Sequence, residues 1–412
     1  MNFSVAPRTA RHTLRHLIRA SALAVCLVFG ASWAPGAVDT NKIVITRPTD
    51  SLGFPEPIPV NVSGFTGEAD MVLKNDLLFM GVQHVPLDQA KFLVTGNNAG
   101  RVEGHVVEKI SKFHMFGKAY TGGTTRAQTH MFADDVAFLL TGKKGIAQTR
   151  MCFKAESGQA RSEIYVADYD GFNPQQVTRD QSIAAGPCWA GPSSQNMLVY
   201  STYKLGNPNI FSHQLLTGAR SPVARYAGGN YSPAVSPDGR RVAMILSKSG
   251  SPDLYVGNID GTGLKQLTAT REAEFSPCWS PDGRMICYGS RERGATLLFT
   301  ISPNGGAPRQ LATTGAGNPT EPDWSPDGRW IAFTSQARSF VICIVPANEG
   351  RGGEAIPLVE GEDPSWAPNS RTLLFCSGPD HAKHLSLLDV PKKQVKHVAR
   401  ILESNSQPSW AK

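Results

Sequence analysis

What the 412-residue sequence lacks narrows the field of functions. It has no Gly-x-Ser-x-Gly elbow, so the nucleophile turn of an α/β-hydrolase is missing. It has no His-Glu-x-x-His and no phosphate-cradling glycine loop, which removes two further reaction classes. Its seven cysteines include no Cys-x-x-Cys and no zinc-ligand spacing. No Lys/Arg stripe with interleaved aromatics is present, so no nucleic-acid partner is expected. Past residue 37, no apolar run approaches the roughly 18 residues of a membrane helix, and no direct membrane span is expected.

Residues 1–37 lack acids altogether. They carry Arg8, Arg11, Arg15 and Arg19, then the apolar run Ala20–Gly30, then the small residues Ala31, Ser32, Ala34 and Ala37. That is the three-part layout of a secretory signal, expected to be removed on export. Without its four arginines the formal charge falls from +7 to +3. Six cysteines then remain, all within predicted strands and mostly beside Trp, Phe or Ile, where cysteine serves as a small buried hydrophobe. Free thiols are expected, with Cys278 and Cys287, on the two arms of one hairpin, as the pair to test for a disulfide.

What the chain has in plenty is glycine (40) and proline (29), which suits a turn-rich all-β protein. One unit recurs. It is sharpest at Ser276–Arg284 (SPCWSPDGR) and returns at Tyr231–Arg240, Thr320–Arg329 and Asp363–Arg371, with weaker copies at Gly186–Ser194 and Gln407–Lys412. Its first prolines stand at 187, 233, 277, 322, 364 and 408, in steps of 46, 44, 45, 42 and 44 residues. A period near 45 is that of a four-stranded propeller blade. In Ser280-Pro281-Asp282-Gly283, proline fixes φ at the second turn position and glycine accepts the positive φ that follows. Asp238, Asp282 and Asp327 are therefore read as turn formers. Trp189, Trp279, Trp324, Trp366 and Trp410 are read as packing between blades. Strand Thr149–Lys154 has no inner strand before it, and Gln407–Trp410 has no strand after it. Their pairing would close the ring and leave no long open edge.

The expected fold is mainly β: a six-bladed propeller of four-stranded blades over residues 146–412, closed by the C-terminal strand. A small α/β domain precedes it over 61–145, and an extended segment over 38–60. In the α/β domain, Glu68–Met80 reads as a helix, Lys91–Thr95 and Arg101–Glu108 as strands, and Phe132–Thr141 as a linking helix with acids in its first turn, stopped by Gly142. His381-Ala-Lys-His384 would offer two metal ligands only on a helix, and it falls in a predicted loop. No metal, cofactor or catalytic residue is expected.

Inner strands converge on a propeller axis, so the residues before each repeated proline should ring one channel mouth. They are Ala185-Gly186, Tyr231-Ser232, Phe275-Ser276, Thr320-Glu321, Glu362-Asp363 and Ser406-Gln407. Tyr231 and Phe275 are candidate aromatic anchors, and Glu321, Glu362 and Asp363 a candidate acidic arc.

Ala133–Gly145 (ADDVAFLLTGKKG) leading into a strand, Glu163–Phe172 (EIYVADYDGF) and the repeats ending in Pro-x-Trp resemble the TolB family, periplasmic components of the Tol-Pal envelope system. The resemblance covers most of the chain beyond the signal. It implies a non-enzymatic, monomeric scaffold in the periplasm, serving outer-membrane integrity and constriction during cell division. It further implies a Pal-like peptidoglycan-associated lipoprotein at the propeller mouth. The mouth residues carried forward are Tyr231, Ser232, Phe275, Ser276, Thr320, Glu321, Glu362, Asp363 and Gln407. A TolA-like inner-membrane protein would engage the N-terminal segment at Lys42, Ile43, Val44 and Ile45. The sequence departs from the repeat at two turns, Gly191-Pro192-Ser193-Ser194 and Pro368-Asn369-Ser370. The alternative function is a channel that binds or hydrolyses a small molecule.

Overall fold

The computed structural model describes residues 48–158, 161–191, 196–398 and 401–412. The expected signal, Lys42–Ile45 and part of the Gly191–Ser194 turn lie outside them.

The chain enters through β1 (Ile58–Ser63), α1 (Gly67–Phe79), β2 (Val82–His84), β3 (Phe92–Asn97), β4 (Val102–Glu108), β5 (His114–Tyr120) and α2 (Thr125–Thr141). The strands form one sheet in the order β2-β1-β3-β4-β5. Strand β1 runs parallel to both β2 and β3, and the remaining pairs are antiparallel. In β1, buried Ile58, Val60 and Val62 alternate with half-exposed Pro59 and Asn61, the period of a strand with one covered face. Helix α1 covers that face with Leu73 and Leu77, and α2 with Phe132 and Val136. The short β2 and the polar β5 (HMFGKAY) have too weak an apolar alternation to announce themselves in the sequence.

Helix α2 corrects an expectation. It begins at Thr125, seven residues before Phe132, with no acid in its first turn; Thr124 Oγ1 accepts from the Ala127 N–H at 3.1 Å as the N-cap. Asp134 and Asp135 therefore lie inside the helix and act as tethers. Asp134 accepts from the N–H groups of Ala147 and Gln148, while Asp135 accepts from Lys118 and the Tyr120 hydroxyl. Gly142 ends the helix at φ 72°, as expected.

Six four-stranded antiparallel blades follow. The C-terminal strand Ser404–Trp410 pairs with Arg150–Glu156, so the last segment supplies the innermost strand of the first blade. The fourth blade gains an unexpected fifth strand, Gly352–Glu354, reaching from the next blade to lie parallel with Arg309–Thr314. At Pro368-Asn369-Ser370 the lost motif does not cost the turn. Asn369 Oδ1 accepts from the Arg371 and Thr372 N–H groups, as Asp282 does from Arg284, and Ser370 takes a φ of 53° in place of glycine.

One apolar core runs without a break from Leu73, Phe132 and Val136 of the α/β layer to Ile146, Met151, Phe153 and Trp410 of blade one and Leu374 and Leu387 of blade six. A buried polar cluster sits at the same boundary. Asp76 accepts from the Tyr169 hydroxyl and pairs with His130 Nδ1 at 2.7 Å; Arg126 pairs with Asp170. Burial raises the Asp76 pKa. Burial alone would lower that of His130, but the Asp76 carboxylate raises it, so both effects hold a proton in the pair.

Candidate functional site at the propeller mouth

The innermost strand of each blade is an edge strand facing the axis, and every one breaks its ladder at the same place. Between Phe275↔Gly289 and Cys278↔Cys287, two residues, Ser276 and Pro277, oppose one, Tyr288. The same two-against-one bulge occurs at Gly186-Pro187, Ser232-Pro233, Glu321-Pro322, Asp363-Pro364 and Gln407-Pro408. The first residue of each bulge is left-handed: φ is 57° at Gly186, 46° at Ser232, 45° at Ser276, 53° at Glu321, 54° at Asp363 and 50° at Gln407. Glycine is the ordinary occupant of such a position, and only one blade uses it. Proline comes second because it has no N–H to leave unpaired on an open edge. Opposite the bulges stand the buried side chains Phe153, Tyr200, Met244, Tyr288, Phe333 and Phe375.

These six left-handed residues line an axial cavity of about 470 Å³, with the six prolines beneath them. The structure thus divides each expected pair. Ser232, Ser276, Glu321, Asp363 and Gln407 face the axis, whereas Tyr231, Phe275, Thr320 and Glu362 do not line the cavity. The Phe275 ring occupies the space over Gly289, where an added Cβ would stand 2.1 Å from it, and the Tyr231 ring covers Gly229 in the same way. The Glu362 carboxylate is paired with Lys383 Nζ at 2.5 Å. The expected aromatic anchors thus pack over glycines outside the cavity, and one member of the acidic arc is held in an ion pair.

The other two acids are bound into a belt that the sequence does not show. Glu321 Oε2 accepts from the Asp363 N–H at 3.1 Å, Asp363 Oδ2 from the Gln407 N–H at 2.9 Å, and Gln407 Oε1 from the Gly186 N–H at 2.8 Å. Each of these three left-handed residues thus hands its side chain to the backbone of its counterpart in the next blade. A second tier repeats the device. Asp323 accepts from the Trp366 N–H at 2.6 Å, and Ser365 Oγ from the Trp410 N–H at 3.0 Å. Indole N–H groups add ties of the kind expected of the repeated tryptophans: Trp279 donates to the Ala234 carbonyl at 2.9 Å and Trp189 to that of Ser409 at 3.2 Å. Lys412, at the cavity lining, donates to Asp323, 2.7 Å from both carboxylate oxygens.

Burial, reinforced by the charge of Asp363, raises the Glu321 pKa to about 8. The belt stops at blades three and four. There the hydroxyls of Ser232 and Ser276 have no hydrogen-bond partner among the described residues.

Reactive groups at the axis are held quiet. Cys188 and Cys278 line the cavity, but burial pushes the Cys188 thiol up to about 12 and raises that of Cys278 well above its ordinary value. Cys278 and Cys287 oppose each other in register and are free thiols, as is every cysteine from Cys152 to Cys376. The arrangement can recognise a guest through shape, hydroxyls and carboxylate oxygens.

Fold and site define a class: a six-bladed β-propeller with an N-terminal α/β layer and a proline-lined axial cavity. Residues 138–412 match the family model for the TolB beta propeller domain. The chain belongs to the TolB family, whose curated relatives are Tol-Pal system proteins. One, the Tol-Pal system protein TolB of Desulfosudis oleivorans, is 33% identical over 188 residues, 43% of this chain and 42% of that protein. Another, from Anaeromyxobacter dehalogenans (strain 2CP-C), is 29% identical over 269 residues, 54% of this chain and 60% of that protein. The chain thus spans about half the length of the curated relatives it matches. The crystal structure of TolB from Acinetobacter baumannii superposes with a TM-score of 0.75 at 19% identity, covering 89% of this chain and 98% of that one. At that identity the likeness carries the fold.

Proposed function

We propose that this protein is a non-enzymatic periplasmic scaffold that holds a Pal-like peptidoglycan-associated lipoprotein at the propeller mouth. In this reading a TolA-like inner-membrane protein engages the segment containing Lys42, Ile43, Val44 and Ile45. The assembly serves outer-membrane integrity and constriction at division. The observation that carries the mouth assignment is the ring of six left-handed residues. Five of them are side chains that glycine would replace with less backbone strain, and strain of about 1–3 kcal/mol per residue is retained where a site needs the side chain. The three that form the belt stiffen one arc of the mouth. Ser232 and Ser276 leave the other arc with hydroxyls available to a guest. Rigid strands carry all six, so a partner meets preorganised polar groups.

The test is affinity capture from envelope extract with the full chain. Recovery of an OmpA-like lipoprotein, lost when Ser232 and Ser276 are both replaced by arginine, supports the proposal. Absence of any such lipoprotein, with a small molecule co-purifying in the cavity, contradicts it and favours the small-ligand reading, for which 470 Å³ is an adequate volume.

A further inference from the structure

His384 drew notice in the sequence as the end of His381-Ala-Lys-His384, but the structure gives it a different partner. The segment is a turn, His381 sits at φ 65°, and His384 opens the strand His384–Asp389 of blade six. From the neighbouring strand Gln394–His397, His397 brings its Nδ1 to 2.9 Å from His384 Nε2. Two hydroxyls border the same pair: Ser386 Oγ lies 2.9 Å from His397 Nδ1, and Ser377 Oγ 3.3 Å from His384 Nε2. Strand register sets the arrangement, because Ser377 pairs directly with His384, and Ser386 with His397. His397 is exposed, so the open side of the cluster meets solvent.

We infer that His384 and His397 form a bidentate site for a tetragonal dication, Cu²⁺ foremost. The bite distance is the argument. Imidazole nitrogens about 2.0–2.1 Å from a metal lie about 2.9 Å apart at a right angle and about 3.3–3.4 Å apart at the tetrahedral angle. The observed 2.9 Å is the right-angle value. Right-angle coordination by nitrogen and oxygen is the preference of Cu²⁺ and Ni²⁺, and Cu²⁺ stands highest in the affinity order of the divalent ions. In the metal-free pair, one imidazole donates its hydrogen to the other. Metal binding needs both lone pairs, so that hydrogen moves through solvent to the other nitrogen of the same ring. Among the described residues no group of three His, Cys, Asp or Glu gathers, so water and the serine hydroxyls complete the shell. Only two strong ligands fix the ion, which makes the site exchangeable.

Cu²⁺ titrated into the full chain, followed by calorimetry and by electron paramagnetic resonance, tests the site. The expected result is one ion per chain with a tetragonal spectrum and hyperfine coupling to two nitrogens. Losing an outer-shell partner already costs a metal site about 10–100-fold in affinity, so His384→Ala or His397→Gln lowers affinity at least about tenfold. His381→Ala binds as the parent does. Unchanged melting temperatures show that the fold is kept. The inference is overturned by a parent chain that binds no Cu²⁺. It is equally overturned by an unchanged spectrum in the His384→Ala/His397→Gln double variant. Binding lost instead on replacing the surface pair His105 and His114, whose nitrogens lie 3.2 Å apart, also overturns it.

Discussion

Gln407 Oε1 accepts the backbone N–H of Gly186 at 2.8 Å, joining the last strand of the chain to the first inner strand of the propeller's second blade. With the Trp410 indole donating to Thr149 Oγ1 at 2.8 Å, it fastens a ring whose two ends are over 250 residues apart in sequence. Truncation before Gln407 uncovers the inner edge of strand Arg150–Glu156 and should abolish a cooperative unfolding transition. Gln407→Ala is the milder form. It removes one hydrogen bond and should cost about 1 kcal/mol in urea denaturation, with an unchanged m-value.

The mouth residues can be separated from ordinary strand residues by their backbone. Ser276→Val places a β-branched side chain at φ 45° and should destabilise the protein by about 1–3 kcal/mol. Ser276→Gly should stay close to the parent, since relief of left-handed strain offsets the larger entropy of the unfolded chain. Chemical denaturation of the two variants side by side reads the difference.

Glu321 makes stability depend on pH. Burial, then the Asp363 charge, raises its folded pKa to about 8 from the ordinary 4.5, so folding favours the protonated form. That contribution is complete below about pH 4.5 and is lost as pH rises through 8. Glu274, raised by burial to about 7, acts in the same direction. Glu321→Gln keeps an oxygen for the Thr334 hydroxyl and the Asp363 N–H, so it should flatten part of the decline between pH 5 and 9. The residual slope is shared by Glu274 with the Asp76–His130 pair, whose raised pKa values act in the same direction. A parallel curve for the variant in urea denaturation across that range would refute the assignment.

Asp76 couples the α/β layer to blade one by accepting from the Tyr169 hydroxyl while pairing with His130. Asp76→Ala takes the carboxylate acceptor from the buried Tyr169 hydroxyl and His130 Nδ1 and should cost about 1–3 kcal/mol for each. Calorimetry should show the α/β layer melting before the propeller in this variant, where the parent melts once.

The blade count, the ring closure and the turn role of Asp282 were legible because proline, glycine and tryptophan act locally and recur. The left-handed bulge was hidden. Only Gly186 advertises positive φ, while Ser232, Ser276, Glu321, Asp363 and Gln407 adopt it under tertiary constraint. The belt was equally invisible, since each bond joins residues more than 40 positions apart. Glu321 and Asp363 therefore read as a free acidic arc when they are bound to neighbouring blades. Tyr231 and Phe275 misled for a related reason: a neighbouring glycine drew each ring flat onto the sheet. The start of α2 was missed because Thr125–His130 is polar on the sequence, though the structure buries Gln128, Thr129 and His130.

The most direct measurement is the affinity of the purified full chain for a purified Pal-like lipoprotein domain, by calorimetry, with and without Ser232→Arg/Ser276→Arg. Neither serine hydroxyl has a partner to lose among the described residues, so the variant should melt as the parent does. Binding by the parent and a loss of at least about a hundredfold in the variant, about 2.7 kcal/mol, is the predicted result. Equal affinity in a fully folded variant would contradict a partner seated at the propeller mouth.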